Sequence, residues 1–495
     1  MLSDSYLSTL ADRLRDADYT FDPVMRRLGD AGAAGLARNT TLAAEDALGD
    51  DRDAQATLMR LWLVQHTVPR SEVERVLGPV GPLVEAGILA VEADRVRGLA
   101  EIRPYAAEAT ASTPALDGWV CHDPLNHLDE RPNETRPDFV LGVSPASTTL
   151  AQLTQRRPVG RALDLGTGCG VQALHLAQHA GHVIATDVNQ RALALAGVTT
   201  RLNGVDADLR FGSLYEPVAD EGFDLIVTNP PFVMSPPSVH RLTYREGSLP
   251  GDRLVEQVVT GGGRRLNPDG TMQVLCNWAI LRGEPFEERL AGWIRPTGCD
   301  GLVIERERLD PYEYAEIWLS DAGTNWRPDY RERYREWIGY LDALGIEGVG
   351  MGWVSLRQAG RDVPDIRVEQ WPHAVHQPIG DALAAQQRAV DLAGVPDDAL
   401  LATRWRLHPG VVQETTGRPG EPDPEHIVLR QSYGLGRAVE ADTGLAAFAG
   451  ASDGDLTAGQ IIDAIATLLD VDAAALRADL TPRVRELVRD GYLVE

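Results

Sequence analysis

The sequence predicts an α/β protein in which a central, mainly parallel open sheet is accompanied by two smaller, mainly helical domains. Three observations predict it. The chain has 495 residues, which at about 100 to 200 residues per domain suffices for roughly three domains. Short apolar runs alternate with helical segments between about Trp119 and Arg357, a pattern typical of βαβ units. Before and after this region, apolar residues recur mainly at the three- and four-residue spacing of helices.

Residues 1–115 are expected to form the N-terminal domain. Three short helices are predicted at 54–66, 71–77 and 80–87, followed by a β-hairpin in the sequence ILAVEADRVRGLAEIRPY. This order suggests a winged helix, and a plain helical cap on the next domain is the alternative. The small and turn-forming residues of TASTPALDG then predict a domain boundary.

Residues 116–360 are expected to form the central domain. The apolar runs RALDLG, HVIATD, FDLIVTNPP and TMQVLCNW each end in a turn or a polar residue and are predicted to be strands. Further strands are expected at 301–306 and 348–357, with an aromatic helical stretch at 312–341 between them. Ligands bind at the carboxyl ends of the strands in sheets of this kind, so functional residues are expected there.

Residues 361–495 are expected to contain a linker and a C-terminal domain. Prolines predict a linker or an irregular crossing segment at 358–381, and GRPGEPDPEH predicts a loop. From about Ile427 the pattern predicts a strand, then helices at 457–469 and 472–489. This stretch resembles the PqqD-like winged-helix modules that hold peptides in peptide-modifying systems, and a small helical docking domain is the alternative.

Composition excludes several classes of function. The 47 basic and 73 acidic residues give a formal charge of −26, and every basic residue is an arginine. Without lysine, neither Schiff-base chemistry nor a phosphate-binding loop of the lysine type is available. The acidic excess disfavours non-specific nucleic-acid binding and gives weight to a protein or small-molecule partner.

The cysteines and the apolar segments indicate a cytoplasmic protein. Cys121, Cys169, Cys276 and Cys299 have no paired spacing, which argues against a disulfide framework or a thiolate metal site. Aspartates interrupt the apolar residues of the N-terminal segment, and no later stretch reaches about 18 uncharged apolar residues. The sequence therefore predicts neither secretion nor insertion into a membrane.

The segment RALDLGTGCGVQALHLAQ contains the first chemical motif. Its strand ends near Asp164, and the glycine turn Gly166, Gly168 and Gly170 leads into a helix. The glycines let the backbone approach a ligand, and the helix N-terminus offers N–H groups to a carboxylate or phosphate. The next strand ends in Asp187, which is well placed to accept hydrogen bonds from a ribose diol. For this motif alone, an ordinary tight strand-to-helix turn is the alternative.

The tetrapeptide Asn229-Pro230-Pro231-Phe232 is the second motif and follows the predicted strand FDLIVT. A planar nitrogen becomes nucleophilic only when acceptors hold its N–H groups, and the Asn229 side-chain oxygen and the Pro230 carbonyl would supply two. The prolines stiffen the backbone. Phe232 offers a flat face on which an amide or a base can stack.

Together the motifs resemble those of class I S-adenosylmethionine-dependent methyltransferases. The D-x-G-x-G-x-G pattern, with an acid at the end of the next strand, resembles their motifs I and II, and NPPF resembles the (N/D)PP(Y/F) signature of enzymes that methylate a planar nitrogen. NPPFVMSPP is most similar to the glutamine-amide methyltransferases of the HemK and PrmC type. Guanine N2- and adenine N6-methyltransferases share the tetrapeptide. The resemblance covers about residues 141–357.

This resemblance implies a Rossmann-like sheet of seven strands and S-adenosylmethionine as the cofactor. It implies that the four residues of the tetrapeptide hold the methyl acceptor. Two departures are Phe232, where the glutamine enzymes usually have Tyr, and Ser213, where an acid or amide usually faces the adenine amine. The cofactor-binding residues implied are Asp164, Gly166, Thr167, Gly168, Gly170, Asp187, Ser213, Leu214 and Asn229.

Other segments carry weaker signals. Residues 143–149 correspond to a segment that lines the cofactor pocket in the family. The loop RLTYREG, with Arg241, Tyr244, Arg245 and Glu246, either contacts the acceptor or is a solvated loop. Two groups contain metal-ligand types but follow no zinc spacing, so no metal is predicted. These groups are Cys121, His122, Asp123 and His127, and His373 with His376.

We therefore expect an S-adenosylmethionine-dependent N-methyltransferase that acts on a planar nitrogen of a macromolecule. The charge and the NPPFVMSPP segment favour a protein glutamine amide, with a base nitrogen of RNA or DNA as the alternative. A non-catalytic cofactor-binding module and a dinucleotide oxidoreductase are less favoured, because both chemical motifs are intact and hydride transfer leaves NPPF unexplained. The flanking domains are expected to select or orient the acceptor.

Overall fold

The structure is a computed structural model that describes residues 2–125, 128–130, 135–237, 242–322, 327–418 and 424–495. The chain divides into two compact units. One contains Met1–Ala151 and Arg156–Trp371, and the other contains Gln152–Gln155 and Pro372–Glu495. Among the described residues, no helix is long and apolar enough to cross a membrane.

The N-terminal part of the larger unit is mainly helical, as expected. It contains a π-helical turn at Met59–Leu63, and the three predicted short helices and the hairpin are present. The helices are α1 (Asp4–Asp16), α2 (Phe21–Ala37), α3 (Leu42–Leu48), α4 (Ala54–Leu58), α5 (Arg70–Leu77) and α6 (Gly81–Glu85). The strands are β1 (Val68–Pro69), β2 (Leu89–Glu92), β3 (Arg95–Gly98), β4 (Glu101–Ala107) and β5 (Leu116–His122).

Two small antiparallel sheets form in this part. Strands β1, β3 and β2 lie side by side in that order, and β4 pairs with β5. The β4–β5 ribbon crosses residue 115, where the sequence predicts a domain boundary. One apolar core also joins Leu7 and Trp62 of the N-terminal helices to Leu174 and Leu195 of the central region. The two regions are therefore packed into one compact unit.

The central region is an eight-stranded sheet covered by helices. Its order is β13-β11-β12-β10-β9-β6-β7-β8, and β12 is antiparallel to both neighbours. The prediction of a mainly parallel α/β sheet is confirmed. Its elements are α7 (Pro145–Leu153), β6 (Val159–Leu165), α8 (Val171–Ala177), β7 (Ala180–Asp187), α9 (Gln190–Leu202), β8 (Ala207–Phe211), β9 (Phe223–Thr228), α10 (Arg253–Gly263), β10 (Leu266–Leu281), α11 (Phe286–Ile294), β11 (Asp300–Leu309), α12 (Pro311–Asp321), α13 (Tyr330–Ala343), β12 (Ile346–Arg357) and β13 (Ile366–Gln370).

Strand β13 corrects two expectations, because the sheet has eight strands rather than seven and residues 366–370 do not belong to a linker. It lies at the sheet edge and pairs in parallel with β11 alone. Its side chains are half-buried or exposed. An edge strand of this kind lacks the continuous apolar run that marks a central strand, and the nearby prolines pointed to a linker instead.

The parallel strands bring the predicted motifs to one edge of the sheet. Leu165 at the end of β6 is aligned with Thr186 of β7 and with Thr228 of β9. The residues that follow these three positions therefore emerge side by side. This register places the glycine turn, Asp187 and the tetrapeptide close together.

The smaller unit has its own apolar core, which includes Trp405, Phe448 and Ile462. Two of its helices were predicted, and their N-terminal caps explain the agreement. Thr457 forms a capping box with Gln460, and the Asp472 side chain accepts a hydrogen bond from the third helical residue. Residues 419–423 of the predicted GRPGEPDPEH loop lie outside the described residues.

The elements of the smaller unit follow one another closely along the chain. They are α14 (Gly380–Ala393), α15 (Asp397–Ala402), β14 (Arg406–Leu407), β15 (Val411–Thr416), β16 (His426–Gln431), β17 (Ala438–Ala441), α16 (Thr443–Ala451), α17 (Ala458–Leu469), α18 (Ala473–Arg489) and β18 (Leu493–Val494). Strands β15, β16 and β17 form an antiparallel sheet, and β14 pairs with β18.

Candidate active site

A cavity of about 340 Å³ opens at the carboxyl ends of β6, β7, β8 and β9. It brings together most of the residues that the sequence singled out. Gly170 and Phe232 lie outside its lining. The predicted residues that line it are Asp164, Gly166, Thr167, Gly168, Asp187, Ser213, Leu214, Asn229, Pro230 and Pro231.

Hydrogen bonds to the neighbouring strand fix the glycine turn. The backbone N–H groups of Gly166 and Thr167 both donate to the Thr186 carbonyl at 2.9 Å. Gly170 ends the turn with φ +83°, and a Cβ atom there would lie 3.1 Å from the Cα of Ala196 in α9. Gly170 therefore serves the turn and the close packing of α9, and it does not line the cavity.

Two backbone groups hold Asp187 at the rim of the cavity. Its carboxylate accepts hydrogen bonds from Gly168 N at 2.9 Å and from Asn189 N at 2.8 Å. Burial raises the pKa of Asp187, although these hydrogen bonds oppose the shift. Each carboxylate oxygen keeps a lone pair, so the group can also accept from the two hydroxyls of a diol.

Asp164 lies fully buried beneath the glycine turn. The Thr167 hydroxyl donates to its carboxylate at 2.6 Å. Burial, reinforced by the charge of Asp187 and opposed by the Thr167 hydrogen bond, raises the pKa of Asp164 to about 7. A cationic or N–H-bearing group that enters the cavity would favour the ionised carboxylate.

The end of β8 forms the next part of the lining. Gly212 N donates to the Asp187 carbonyl at 3.1 Å, which ties this end to β7. Leu214 has φ +48°, a region that is unfavourable for a leucine. Strained backbone of this kind often occurs at ligand sites. The Ser213 hydroxyl and the Leu214 side chain are therefore available to a planar ring at this position.

The tetrapeptide presents an unsatisfied hydrogen-bond acceptor. Asn229 lines the cavity, and its Oδ1 atom is buried and accepts no hydrogen bond from the described part of the chain. The preceding residue is fixed, because the Thr228 hydroxyl donates to the Leu165 carbonyl at 2.8 Å. A buried acceptor without a donor costs about 1–3 kcal/mol, and such atoms mark places where a ligand supplies the donor.

Phe232 packs against α12. Its ring centroid lies 6.1 Å from that of Trp318 at an angle of 67°. Nearby, the Tyr314 hydroxyl accepts a hydrogen bond from Met234 N at 2.9 Å. Phe232 therefore anchors the end of the tetrapeptide to α12, and its role as a stacking face for the acceptor stays a prediction.

The loop after the tetrapeptide is packed into the protein, so the alternative of a solvated loop is wrong for its described residues. Val233 N donates to the Arg245 carbonyl at 2.8 Å. Arg245 and Glu246 are only 7% and 8% exposed. Tyr244 and Glu246 line the cavity, with the Tyr244 ring 5.7 Å from that of Phe139. Arg241 lies outside the described residues.

The segment before α7 contributes residues that the sequence analysis missed. Phe139, Val140, Leu141 and Gly142 all line the cavity. The run FVLG looks like any short apolar stretch, so only its position next to the predicted segment 143–149 could have drawn attention to it. Within that segment, Ser144 and Ser147 line the cavity as expected.

Two side chains of the first suspected metal-ligand group, Asp123 and His122, are engaged in structural contacts. Asp123 accepts hydrogen bonds from Val140 N at 2.8 Å and from Arg191 Nε at 2.9 Å. His122 Nδ1 lies 2.8 Å from the Asp123 carbonyl oxygen, to which it donates. His127 lies outside the described residues. Across the described ranges, three or more metal-ligand side chains do not come together.

The cavity fits the S-adenosylmethionine that the resemblance implies. Asp187 can accept from a ribose diol, and the glycine turn allows close approach of a charged group to the backbone. Asp164 can receive an ammonium group. Asn229 Oδ1 remains for a donor from the methyl acceptor. One cavity thus contains polar groups for both a nucleoside cofactor and an N–H-bearing acceptor.

Comparisons with known proteins relate part of the chain to methyltransferases. Residues 142–286 match the family described as Methyltransferase small domain, and residues 16–99 match a domain of unknown function, DUF7059. The release factor glutamine methyltransferase of Geobacter sulfurreducens is 30% identical over 182 residues, which are 34% of this chain and 62% of that protein. The ribosomal protein uL3 glutamine methyltransferase of Bradyrhizobium diazoefficiens is 34% identical over 164 residues, 30% of this chain and 50% of that protein.

A third relative is named for a different kind of acceptor. The ribosomal RNA small subunit methyltransferase C of Klebsiella pneumoniae is 28% identical over 138 residues, 28% of this chain and 36% of that protein. The chain thus spans less than two thirds of the length of each of these three relatives.

Proposed function

We propose that the protein is an S-adenosylmethionine-dependent N-methyltransferase of a protein glutamine amide, because residues 142–286 match the Methyltransferase small domain. The observation that carries the proposal is the buried, unpaired Asn229 Oδ1 in the cavity lining. An amide nitrogen has two N–H groups. Asn229 Oδ1 would accept one of them and the Pro230 carbonyl the other.

These two hydrogen bonds would prepare the nitrogen for attack. Its lone pair is delocalised in the free amide, and acceptors that hold both N–H groups favour the pyramidal form in which the lone pair is available. S-adenosylmethionine, when bound, supplies a methyl group activated by a sulfonium. As the nitrogen gains the methyl group, the bond between the methyl carbon and sulfur breaks and leaves a neutral thioether, and the nitrogen releases one proton to solvent water. Since orientation provides most of the catalysis, the site needs no strong general base.

The other residues of the cavity would bind and orient the cofactor. Asp187 would accept hydrogen bonds from the ribose hydroxyls, and the turn around Gly166 and Gly168 would lie against the methionine end. Ser213 and Leu214 would contact the adenine. In this proposal Gly170 contributes only by shaping the turn.

The charge of the N-terminal region favours a protein acceptor over RNA, because residues 1–115 contain 18 acidic residues and 12 arginines, several of which are ion-paired. Arg27 pairs with Asp51 and Asp53, at 2.8 and 2.7 Å. Further arginines of the region pair with acids: Arg15 with Asp12, Arg52 with Glu72, Arg70 with Glu74 and Arg97 with Glu92. An RNA-binding face needs unneutralised positive charge, and the chain carries −26 overall. We propose that the flanking regions, 1–115 and 361–495, select or orient a protein.

One labelling experiment tests the function. The wild type and the Asn229→Ala variant are incubated with tritiated S-adenosylmethionine and a lysate of the organism that encodes the protein. The products are then divided by protease and by RNase. We expect label that protease removes, located on glutamine by mass spectrometry. The variant should lose at least about a hundredfold in labelling, the effect of losing a hydrogen-bond acceptor aimed at the reacting group.

The controls separate binding from chemistry. Calorimetry should give cofactor affinities for wild type and Asn229→Ala that agree within about threefold. Asn267→Ala is the matched control, because Asn267 bonds Asp224 at 2.8 Å and does not line the cavity. Label that RNase removes would transfer the proposal to an RNA base nitrogen. Normal labelling by Asn229→Ala, or no cofactor binding by the wild type, would refute it.

A further inference from the structure

We propose that Glu246 binds the methyl acceptor and that its carboxylate accepts a main-chain N–H of the peptide that carries the target glutamine. This inference rests on the proposed function. Glu246 is 8% exposed, lines the cavity that contains Asn229, and belongs to neither the glycine turn nor the tetrapeptide. The cofactor contacts proposed above do not use it.

The backbone fixes Glu246 beside the tetrapeptide. Val233, the residue after Phe232, forms a β-bridge with Glu246. Its N–H donates to the Arg245 carbonyl at 2.8 Å, and Gly247 N donates to the Val233 carbonyl at 3.3 Å. Glu246 therefore lies on the acceptor side of the cavity.

The charge around Glu246 is only partly compensated. Arg245 donates from Nε and Nη2 to Glu246 Oε1, at 3.3 and 3.1 Å. The same guanidinium donates to Asp321 Oδ2 at 2.6 Å. One positive charge is thus shared by two carboxylates, so the group of three carries a net negative charge when both acids are ionised. A cavity wall with a net negative charge attracts N–H donors and repels carbonyl oxygens and phosphates.

The second carboxylate oxygen identifies what Glu246 would bind. Both Arg245 hydrogen bonds end on Oε1, and no residue in the described ranges donates to Oε2. Oε2 keeps accessible surface and its lone pairs, so it can accept an N–H group from a ligand that enters the cavity. In a bound glutamine, Asn229 and Pro230 already use both side-chain N–H groups. The remaining N–H donor of that residue is its main-chain amide.

The test compares Glu246→Gln with Asp321→Asn. Both variants neutralise a carboxylate that is bonded to Arg245, but Asp321 does not line the cavity and its side chain is 49% exposed. Glu246→Gln keeps an oxygen for Arg245 and removes the charge. Initial rates are measured with tritiated S-adenosylmethionine against increasing concentrations of RNase-treated lysate protein. Cofactor affinity is measured by calorimetry.

We expect Glu246→Gln to raise the KM for the acceptor protein by about tenfold to a hundredfold, the usual effect of losing one hydrogen bond to a charged group. Its kcat and cofactor Kd should stay within about threefold of the wild type. Asp321→Asn should leave all three constants within about threefold. If Glu246→Gln fails to fold, Glu246→Asp makes the same test, because its shorter carboxylate should also raise KM.

Several outcomes would overturn the inference. An unchanged KM in a folded Glu246→Gln variant would do so, and so would equal KM increases in Glu246→Gln and Asp321→Asn, which would indicate a structural role. Wild-type label found only in RNA would refute the peptide as the partner. A wild type that labels neither fraction would refute the proposed function as well. A wild type that labels protein while Glu246→Gln behaves normally would refute this inference alone.

Discussion

The two walls of the cavity are built in different ways. The cofactor wall consists of the glycine turn, Asp187 and the end of β8, and its residues follow one another from 164 to 214. The acceptor wall consists of the tetrapeptide and the loop 242–248, and it is supported by α12, which follows β11 much later in the chain. One wall is local in sequence, and the other is assembled by tertiary contacts.

The walls also differ in how their polar groups are satisfied. In the cofactor wall, backbone N–H groups hold Asp187, and the Thr167 hydroxyl holds Asp164. In the acceptor wall, Asn229 Oδ1 has no donor among the described residues. In the proposed function, the cofactor wall is therefore preorganised, and the substrate would complete the hydrogen bonding of the acceptor wall. The two walls should therefore respond separately to substitution.

The largest effect is expected when the support of the acceptor wall is removed. Trp318→Ala removes a ring that contacts Phe232 and lies 5.8 Å from the Arg245 guanidinium. We expect the free energy of unfolding to fall by about 2–4 kcal/mol, as for other large-to-small changes at packed sites. Methyl transfer should fall while the cofactor Kd stays within about threefold. Denaturant titration and calorimetry measure the two quantities.

The neighbouring residue provides the control for this substitution. Ile317→Ala also truncates an apolar side chain of α12, but Ile317 is 43% exposed. It should cost less than about 1 kcal/mol. A loss of cofactor affinity in Trp318→Ala as large as its loss of turnover would mean that the walls are not independent.

The pH dependence of the free energy of unfolding tests the cofactor wall in the absence of ligand. The pKa of Asp164 is raised to about 7 in the folded protein, above its unfolded value near 4. The folded state therefore binds this proton more tightly, and the resulting stability is complete below about pH 4 and lost as the pH rises through 7. Between pH 5 and pH 8 this one group should remove about 2–3 kcal/mol. The Asp164→Asn variant should not show this loss of stability.

Melting temperatures at pH 5 and pH 8 make this comparison. Asp224→Asn is the control, because hydrogen bonds from Asn267 and from backbone N–H groups hold the pKa of Asp224 below its usual value, against its desolvation. Its contribution is lost only as the pH falls through that lowered pKa, so the control should follow the wild type between pH 5 and pH 8. If the melting temperatures of the wild type and of Asp164→Asn fall by the same amount between pH 5 and pH 8, the raised pKa of Asp164 is contradicted.

A third prediction concerns Asp187 and the cofactor. Asp187→Ala should raise the cofactor Kd by about tenfold to a hundredfold, because it removes the anchor of Gly168 N and the proposed acceptor of the ribose diol. Asp224→Ala is matched to it, since Asp224 accepts from Gly160 N and Arg161 N at the opposite end of the sheet. Calorimetry should find that control within about threefold of the wild type. Equal losses in both variants would indicate a general loss of folding.

Much of the fold could be predicted because its signals are local. The buried strands β6, β7 and β9 are short runs rich in apolar residues, and α17 and α18 begin at the capping residues Thr457 and Asp472. The cofactor wall could be predicted for the same reason, since parallel strands align their carboxyl ends. Asp164, Gly168 and Asp187 therefore meet where their order along the chain indicates.

The acceptor wall could be predicted only in part. The residue types of the tetrapeptide indicated its chemistry, but the contact between Phe232 and Trp318 joins segments that lie far apart in the chain. The sequence predicts a linker where edge strand β13 lies. An edge strand that pairs with one partner strand needs no continuous apolar run, and β13 has none. Helical and strand periodicities report which face of an element is buried, and they do not identify its partner.

The sequence by itself determined the parallel strands β6, β7 and β9, the positions of the glycine turn and of Asp187, and the chemical character of the tetrapeptide. These depend on backbone propensity, on the alternation of apolar and polar residues, and on side-chain functional groups. Only the tertiary structure decided that Arg245 and Glu246 are buried, that α12 supports the tetrapeptide, and that one core joins Trp62 to Leu195. Such contacts depend on packing between segments that are distant in the chain. Several tertiary arrangements would satisfy the same local sequence pattern, but only one of them buries these polar side chains together with their partners.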